Sequence, residues 1–175
     1  MIKIGYLLSK LHSKLVRKTK SYEVMNAYYR RGGAHIGAGS CICSNLDLCE
    51  KELLCIGNNV TISTQVLFVT HDISIASYAK KPGTLYGKIV IGNNCFIGER
   101  SMILYGVELA DNIIVGAGSV VTKSFRQEGV ILGGNPAKVI GTIGDFVSKN
   151  AKNQMMIKEL NAAIEANDDR LIKRS

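Results

Sequence analysis

Three histidines, His12, His35 and His71, are the side chains of this chain best suited to moving a proton near neutral pH. His71 stands apart from the other two. It ends a regular stretch in the phrase FVTHD, where the irregular segment HDISIASYAKKPGTLYGK departs. Such a position is suited to a general base, which must reach an incoming substrate from an otherwise rigid frame. His12 lies in a basic segment and reads as a solvated bystander, and His35 has no partner group near it in sequence. The five cysteines are odd in number, and Cys43, Cys49 and Cys55 recur every six residues, so free thiols rather than a disulfide set or a metal site are expected. GAGSVVTK lacks the third glycine of a dinucleotide-binding turn, and no G-x-S-x-G marks a hydrolase serine. The chemistry on offer is that of one histidine base.

The elements that must hold this histidine follow a six-residue beat. Ile91, Ile97, Ile103, Leu109, Val115 and Val121 keep it without a break, as do Ile36, Ile42, Leu48 and Leu54. After a two-residue slip Ile56, Ile62 and Phe68 resume it. A period of six is neither that of a helix nor that of a lone strand, and it predicts short identical units stacked as a β-helix. Repeats over 34–71 and 89–143, three to a turn, predict about five coils. Gly37, Gly57, Gly92, Gly98 and Gly116 each follow a buried aliphatic residue and read as corners that need positive φ. Val60, Val66, Cys95, Ser101, Val107 and Ser119 read as a second inward position. Phe68 to Ile91 is 23 residues, not a multiple of six, so a loop over about 72–88 must leave the coil and return. A loop that long inside a strict repeat is usually functional. His35 and His71 are 36 residues apart, which places them on one face with a coil between them, and no zinc site is expected.

Outside the repeats, Ile4, Leu7, Leu8, Leu11 and Leu15 alternate with lysine and arginine, which predicts a basic amphipathic helix over 4–20. It packs on the body of the protein, or it makes peripheral contact with an anionic membrane. Phe146, Met156, Leu160, Ala163 and Ile164 predict a C-terminal helix that covers an open end or side of the coil. The expected organisation is a basic helical segment over 1–33, a repeat domain over 34–143 and a helical tail over 144–175. The 175 residues carry a net charge of +8, suited to an anionic ligand, but no nucleic-acid-binding motif accompanies it. No apolar stretch is long enough to span a bilayer, and the N-terminus is too interrupted by charge to read as a signal peptide, so a cytoplasmic location is expected.

The run IVIGNNCFIGERSMILYGVELADNIIVGAGSVVTKSF, followed by GGNPAKVIG and preceded by VLFVTHD and the loop, resembles the hexapeptide-repeat acyltransferases. It is similar to the maltose, galactoside and xenobiotic acetyltransferases and especially to bacterial polysaccharide O-acetyltransferases. The resemblance implies a left-handed parallel β-helix assembled as a homotrimer, with acetyl-CoA as acyl donor, no metal, and active sites between subunits. It implies His71 as the catalytic base. It implies donor contacts at Gly98, Glu99 (through its backbone amide), Ala117, Thr122, Lys123 and Lys138. Gly141 stands where some relatives carry a second basic residue. On the acceptor side Asn45 and Asp47 match polar positions of relatives, and Tyr78, Tyr86 and Lys80 of the loop could stack on or bind a sugar. Phe96 occupies a site where many relatives have tryptophan. The expected activity is transfer of acetyl to a sugar hydroxyl in surface-polysaccharide synthesis. The alternatives are N-acetylation of an amino sugar, acetylation of a xenobiotic or serine, and a non-catalytic β-helix scaffold.

Overall fold

The computed structural model describes residues 21–46 and 48–171. The helix expected over 4–20, with His12, and the candidate Asp47 lie outside the described residues. Helix α1 (Ser21–Arg31) comes first, followed by fifteen short strands and then two short helices, α2 (Ile143–Asn150) and α3 (Leu160–Glu165).

The six-residue beat becomes three parallel sheets. The first stacks β1 (His35–Ile36), β3 (Leu54–Ile56), β8 (Ile89–Ile91) and β11 (Glu108–Leu109). The second stacks β2 (Cys41–Ile42), β4 (Thr61–Ile62), β9 (Phe96–Ile97), β12 (Ile114–Val115) and β14 (Val130–Gly133), with β15 (Lys138–Thr142) folded back antiparallel on β14. The third stacks β5 (Leu67–Val69), β10 (Met102–Leu104) and β13 (Val120–Val121). Ile62, Ile97 and Val115 of one side, Ile91 and Leu109 of another and Ile103 and Val121 of the third meet inside, all buried. Each such side chain stabilises the fold by about 1.5–3 kcal/mol through apolar burial. The second inward position is as expected, since Val60, Val66, Cys95, Ser101, Val107 and Ser119 are all buried.

Register measures each coil. Val90 pairs with Glu108 and Phe96 with Ile114, a step of 18 residues, three units of six. His35 pairs with Cys55, a step of 20, and Cys55 with Val90, a step of 35. The first coil therefore carries two extra residues and the second seventeen. In the second coil the insertion falls after the third side, before the chain re-enters the first, and in the first coil the two extra residues lie between Ile42 of the second side and Leu54 of the first. In the first coil the interior position on this stretch is taken by Leu46, which is buried, while Leu48 is only half-buried against the core.

The glycines act differently from their sequence reading. Left-handed φ values fall three residues after the inward aliphatic, at Gly39, Asn59, Gln65, Asn94, Arg100, Gly106, Asn112 and Gly118. The glycine directly after the aliphatic is needed because the coils touch there. A Cβ on Gly37 would lie 2.4 Å from the Gly57 carbonyl carbon, and one on Gly98 2.5 Å from the Ala117 nitrogen. At the left-handed corners asparagines stack in ladders, with Asn59 donating to Asn94 (3.3 Å) and Asn94 to Asn112 (3.2 Å).

The ends of the coil are also closed differently from expectation. Gly33, at φ 106°, ends α1, and the Ala34 N–H reaches back to the Tyr29 carbonyl, as in a Schellman motif. Met25 and Tyr29 of α1 are buried in the core of the first coil, and the Asn26 amide donates to the Ser40 carbonyl (2.7 Å). The N-terminal cap is thus α1. The C-terminal helix expected over 145–166 is broken: Gln154 and Met156 are extended between α2 and α3. The Asn150 side chain bonds the Phe146 carbonyl (2.7 Å), a local bond that competes with continuing the helix. Among the described residues beyond Ile143 only Ala163 is buried, and β15 closes the edge of the second sheet by pairing with β14. No helix among the described residues is long and apolar enough to cross a membrane.

Candidate active site

His71 stands at the root of the inserted loop. It forms β6 (His71–Asp72), which pairs antiparallel with β7 (Leu85–Tyr86) so that His71 lies opposite Tyr86. The loop is thereby zipped at its base, and the two rings lie 5.9 Å apart. The Gly87 N–H donates to the Thr70 carbonyl (3.0 Å), fixing the return. Asp72 Oδ1 accepts from the Ser74 N–H (2.8 Å), which opens the 3-10 turn Ser74–Ser77, and the Tyr105 hydroxyl donates to Asp72 Oδ2 (3.3 Å) from the next coil. These hydrogen bonds, the Ser74 backbone one first, hold the Asp72 carboxyl below its ordinary range.

The partner of His71 is Glu50, which sequence reasoning missed. Glu50 Oε2 lies 3.1 Å from His71 Nδ1 and accepts from the Thr70 hydroxyl (2.8 Å). The Thr70 bond, then the His71 contact, push the Glu50 carboxyl below its ordinary value, so it is ionised at neutral pH. A carboxylate only accepts, so in the neutral ring Nδ1 is the protonated nitrogen and Nε2 carries the lone pair. Glu50 is placed by the two extra residues of the first coil. Lys51 is buried, its Nζ donates to the Leu48 carbonyl (2.7 Å), and it opens the 3-10 turn Lys51–Leu53 directly after Glu50. The slip in the beat near Glu50 was the signal for it, the same kind of break that marks His71.

The donor-side candidates fall in two groups. Gly98, Glu99 and Ala117 share the corner between the second and third sides, where the Gly118 N–H donates to the Glu99 carbonyl (2.8 Å). Among the described residues no acceptor meets the N–H of Glu99 or of Ala117. Ala117 opens onto a cleft of about 650 Å³ with Ile114, Ile131, Ile140, Phe146 and Lys149. Thr122 and Lys123 lie at the far edge of the third side, with Lys123 Nζ 5.7 Å from the centre of the Phe125 ring. Lys138 opens β15, after a turn that docks on β13 by Val120 N–H to Gly134 carbonyl (2.9 Å) and Ala137 N–H to Val120 carbonyl (2.8 Å). Neither lysine pairs with a carboxylate among the described residues.

The acceptor-side candidates are not all together. Tyr86 adjoins His71, whereas Tyr78 is 90% exposed on the loop and its side chain makes no hydrogen bond or ring contact among the described residues. Lys80 lies on the same loop and is exposed. Asn45 sits in the first coil at the corner that Glu99 and Ala117 occupy in later coils, beside a second cleft of about 550 Å³. Phe96 lies on the outer surface of the second side, stacked between Thr61 and Ile114. The third side, a six-residue unit of up to about 20 Å of extended chain, separates the Asn45–Glu99–Ala117 edge from the His71–Glu50 edge. The candidate residues of one chain thus fall on opposite edges of the same sheet.

Comparison with known proteins agrees with this frame. Residues 88–123 match the family described as hexapeptide repeat of succinyl-transferase. Protein CapG of Staphylococcus aureus is 39% identical over 160 residues, covering 88% of this chain and 90% of CapG. The chain belongs to the hexapeptide-repeat acetyltransferases. As a member it is an acyltransferase. Galactoside O-acetyltransferase of Escherichia coli (strain K12) is 36% identical over 112 residues, 63% of this chain and 55% of that relative. In structure the chain is similar to a maltose O-acetyltransferase from Clostridium difficile 630, with a TM-score of 0.56 and 24% identity over 79% of this chain and 86% of the other. That likeness extends the parallel coil described above to the left-handed β-helix that the family resemblance implies.

Proposed function

We propose that this hexapeptide-repeat acetyltransferase moves acetyl from acetyl-CoA to a hydroxyl of a sugar, in surface-polysaccharide synthesis on the cytoplasmic side of the membrane. The observation that carries the reading is the Glu50–His71 pair at the interruption of the coil. Acetyl-CoA supplies an already activated thioester, so no enzyme nucleophile is needed. His71 Nε2 accepts the proton of the acceptor hydroxyl as its oxygen bonds to the thioester carbonyl carbon. The same nitrogen then returns that proton to the departing sulfur, and Glu50 stabilises the imidazolium between the two steps. The uncommitted N–H groups of Glu99 and Ala117 suit a bound carbonyl or pantetheine oxygen. Lys123 and Lys138, with no carboxylate partner among the described residues, suit the phosphates of the donor.

Asn45 and Tyr86 are the acceptor contacts of this reading, and Asp47 and Tyr78 are its further candidates. Because the candidate residues lie on opposite edges of the third side, the reading includes a homotrimer of five-coil subunits. In it the His71 edge of one subunit faces the Glu99 edge of the next. The outward Leu67, which is exposed on that side, supports burial against a second copy.

The test is His71→Ala, assayed by release of free CoA thiol with sugar acceptors. A fall of about 10²–10⁴-fold in kcat with unchanged mass of the assembly is expected. Retained turnover in that variant refutes the mechanism.

A further inference from the structure

Six of the eight left-handed corner residues are glycine or asparagine, the types that tolerate this conformation. The other two are Gln65 and Arg100, both at φ 58°, at successive levels of the same corner. Neither side chain suits the turn, so neither is there for the turn. They bond to each other, with Arg100 Nε donating to the Gln65 side-chain oxygen (2.7 Å). Among the described residues the one carboxylate near the guanidinium is that of Glu99, 3.9 Å from Nε and itself half exposed. Among the described residues the two terminal nitrogens of Arg100 meet no acceptor. Arg100 lines the cleft shared with Cys43, Asn45, Thr64, Gln65 and Leu67. A guanidinium tethered through Nε presents its paired N–H groups as a fork, and that fork matches a carboxylate or phosphate.

We infer that Arg100 selects an anionic sugar as acceptor, its terminal nitrogens gripping a carboxylate or phosphate of the molecule whose hydroxyl is acetylated. The inference rests on the acetyl-transfer reading above and narrows its acceptor. Arg100 directly follows Gly98 and Glu99, so the charged end of the acceptor would be held beside the thioester. An overall charge of +8 draws the same class of ligand.

The experiment compares three probes: methyl α-D-galactopyranoside, methyl α-D-galacturonide and galactose 1-phosphate. Each is tested for CoA release and, separately, for binding by calorimetry in the presence of CoA. The variant is Arg100→Asn, which suits the left-handed corner and should melt no lower than the parent. In the parent, one of the two charged probes should be preferred over the neutral one, and which of them identifies the anion. In the variant the ratio of kcat/KM for that probe to kcat/KM for the neutral one should fall about 10- to 100-fold, as for loss of a charge-assisted bond. An unchanged ratio, or an effect confined to the KM of acetyl-CoA, overturns the inference. Charge-selective binding that Arg100→Asn abolishes, with no CoA release by the parent, sinks the acetyl-transfer reading and leaves the anion site standing. Release with the neutral probe and no preference for either charged one does the reverse.

Discussion

Replacing Glu50 by glutamine separates the charge of the Glu50–His71 pair from its hydrogen bonds. Glutamine keeps an oxygen that can accept from the Thr70 hydroxyl, so the local packing survives and melting should change little. What goes is the negative charge 3.1 Å from His71 Nδ1. The full contribution of a positioned base is about 10²–10⁴-fold in rate. Glu50 contributes only the part that orients the ring and stabilises its charged form. The His71 side chain is 45% exposed and that of Glu50 27%, so water screens the pair. A fall of about 10- to 100-fold in kcat follows, with the KM of acetyl-CoA nearly unchanged. Because the Glu50 carboxyl titrates below its ordinary value, it is ionised across about pH 5 to 8 and the comparison is clean there. The decisive measurement is the double variant. If Glu50 acts through His71, His71→Ala with Glu50→Gln turns over no more slowly than His71→Ala alone. Additive losses, or a Glu50→Gln rate within about twofold of the parent, would refute the assignment.

Other substitutions test the frame. Gly37→Ala drives a Cβ to within 2.4 Å of the Gly57 backbone, which the hydrogen bonds of the stacked coils hold in place, so the fold should lose about 1–3 kcal/mol or more. Gly83→Ala in the loop meets nothing within 4 Å and should be neutral or gain up to about 1 kcal/mol; equal melting shifts in the two variants would overturn the stacking account. The Asp168 carboxyl is lowered to about 2 by its bonds with Arg170. A depressed carboxyl stabilises above its ordinary pKa and loses that stabilisation as pH falls through its folded value. The Arg170 Nε–H resonance should therefore hold its position from pH 5 to about 4 and move as pH drops towards 2, and Asp168→Asn should abolish that movement.

The beat made the coil legible because burial in a stacked helix recurs at each turn, and no other element needs a period of six. It did not reveal what the glycines after the aliphatics are for. Close approach and positive φ both select glycine, and only the positions of neighbouring backbone distinguish them. The C-terminal helix comes in two short pieces, and spacing alone cannot see Asn150 bonding back to the Phe146 carbonyl. Tyr105 and Arg100 were missed because their partners, Asp72 and Gln65, lie 33 and 35 residues away, distances set by the inserted loop.

The candidate base was legible, and its partner was legible in principle. A perfect hexapeptide coil presents only repeated corners, most of whose groups pair with neighbours above and below. A reactive side chain needs a place where that pairing is broken, and the chain can break it only by adding residues. The coil does so twice, by two residues and by seventeen, and both additions come before the chain re-enters the first side. One delivers Glu50 and the other His71, and they meet there. A slip of two residues that looks like noise along the sequence is, in the folded coil, the second half of one site.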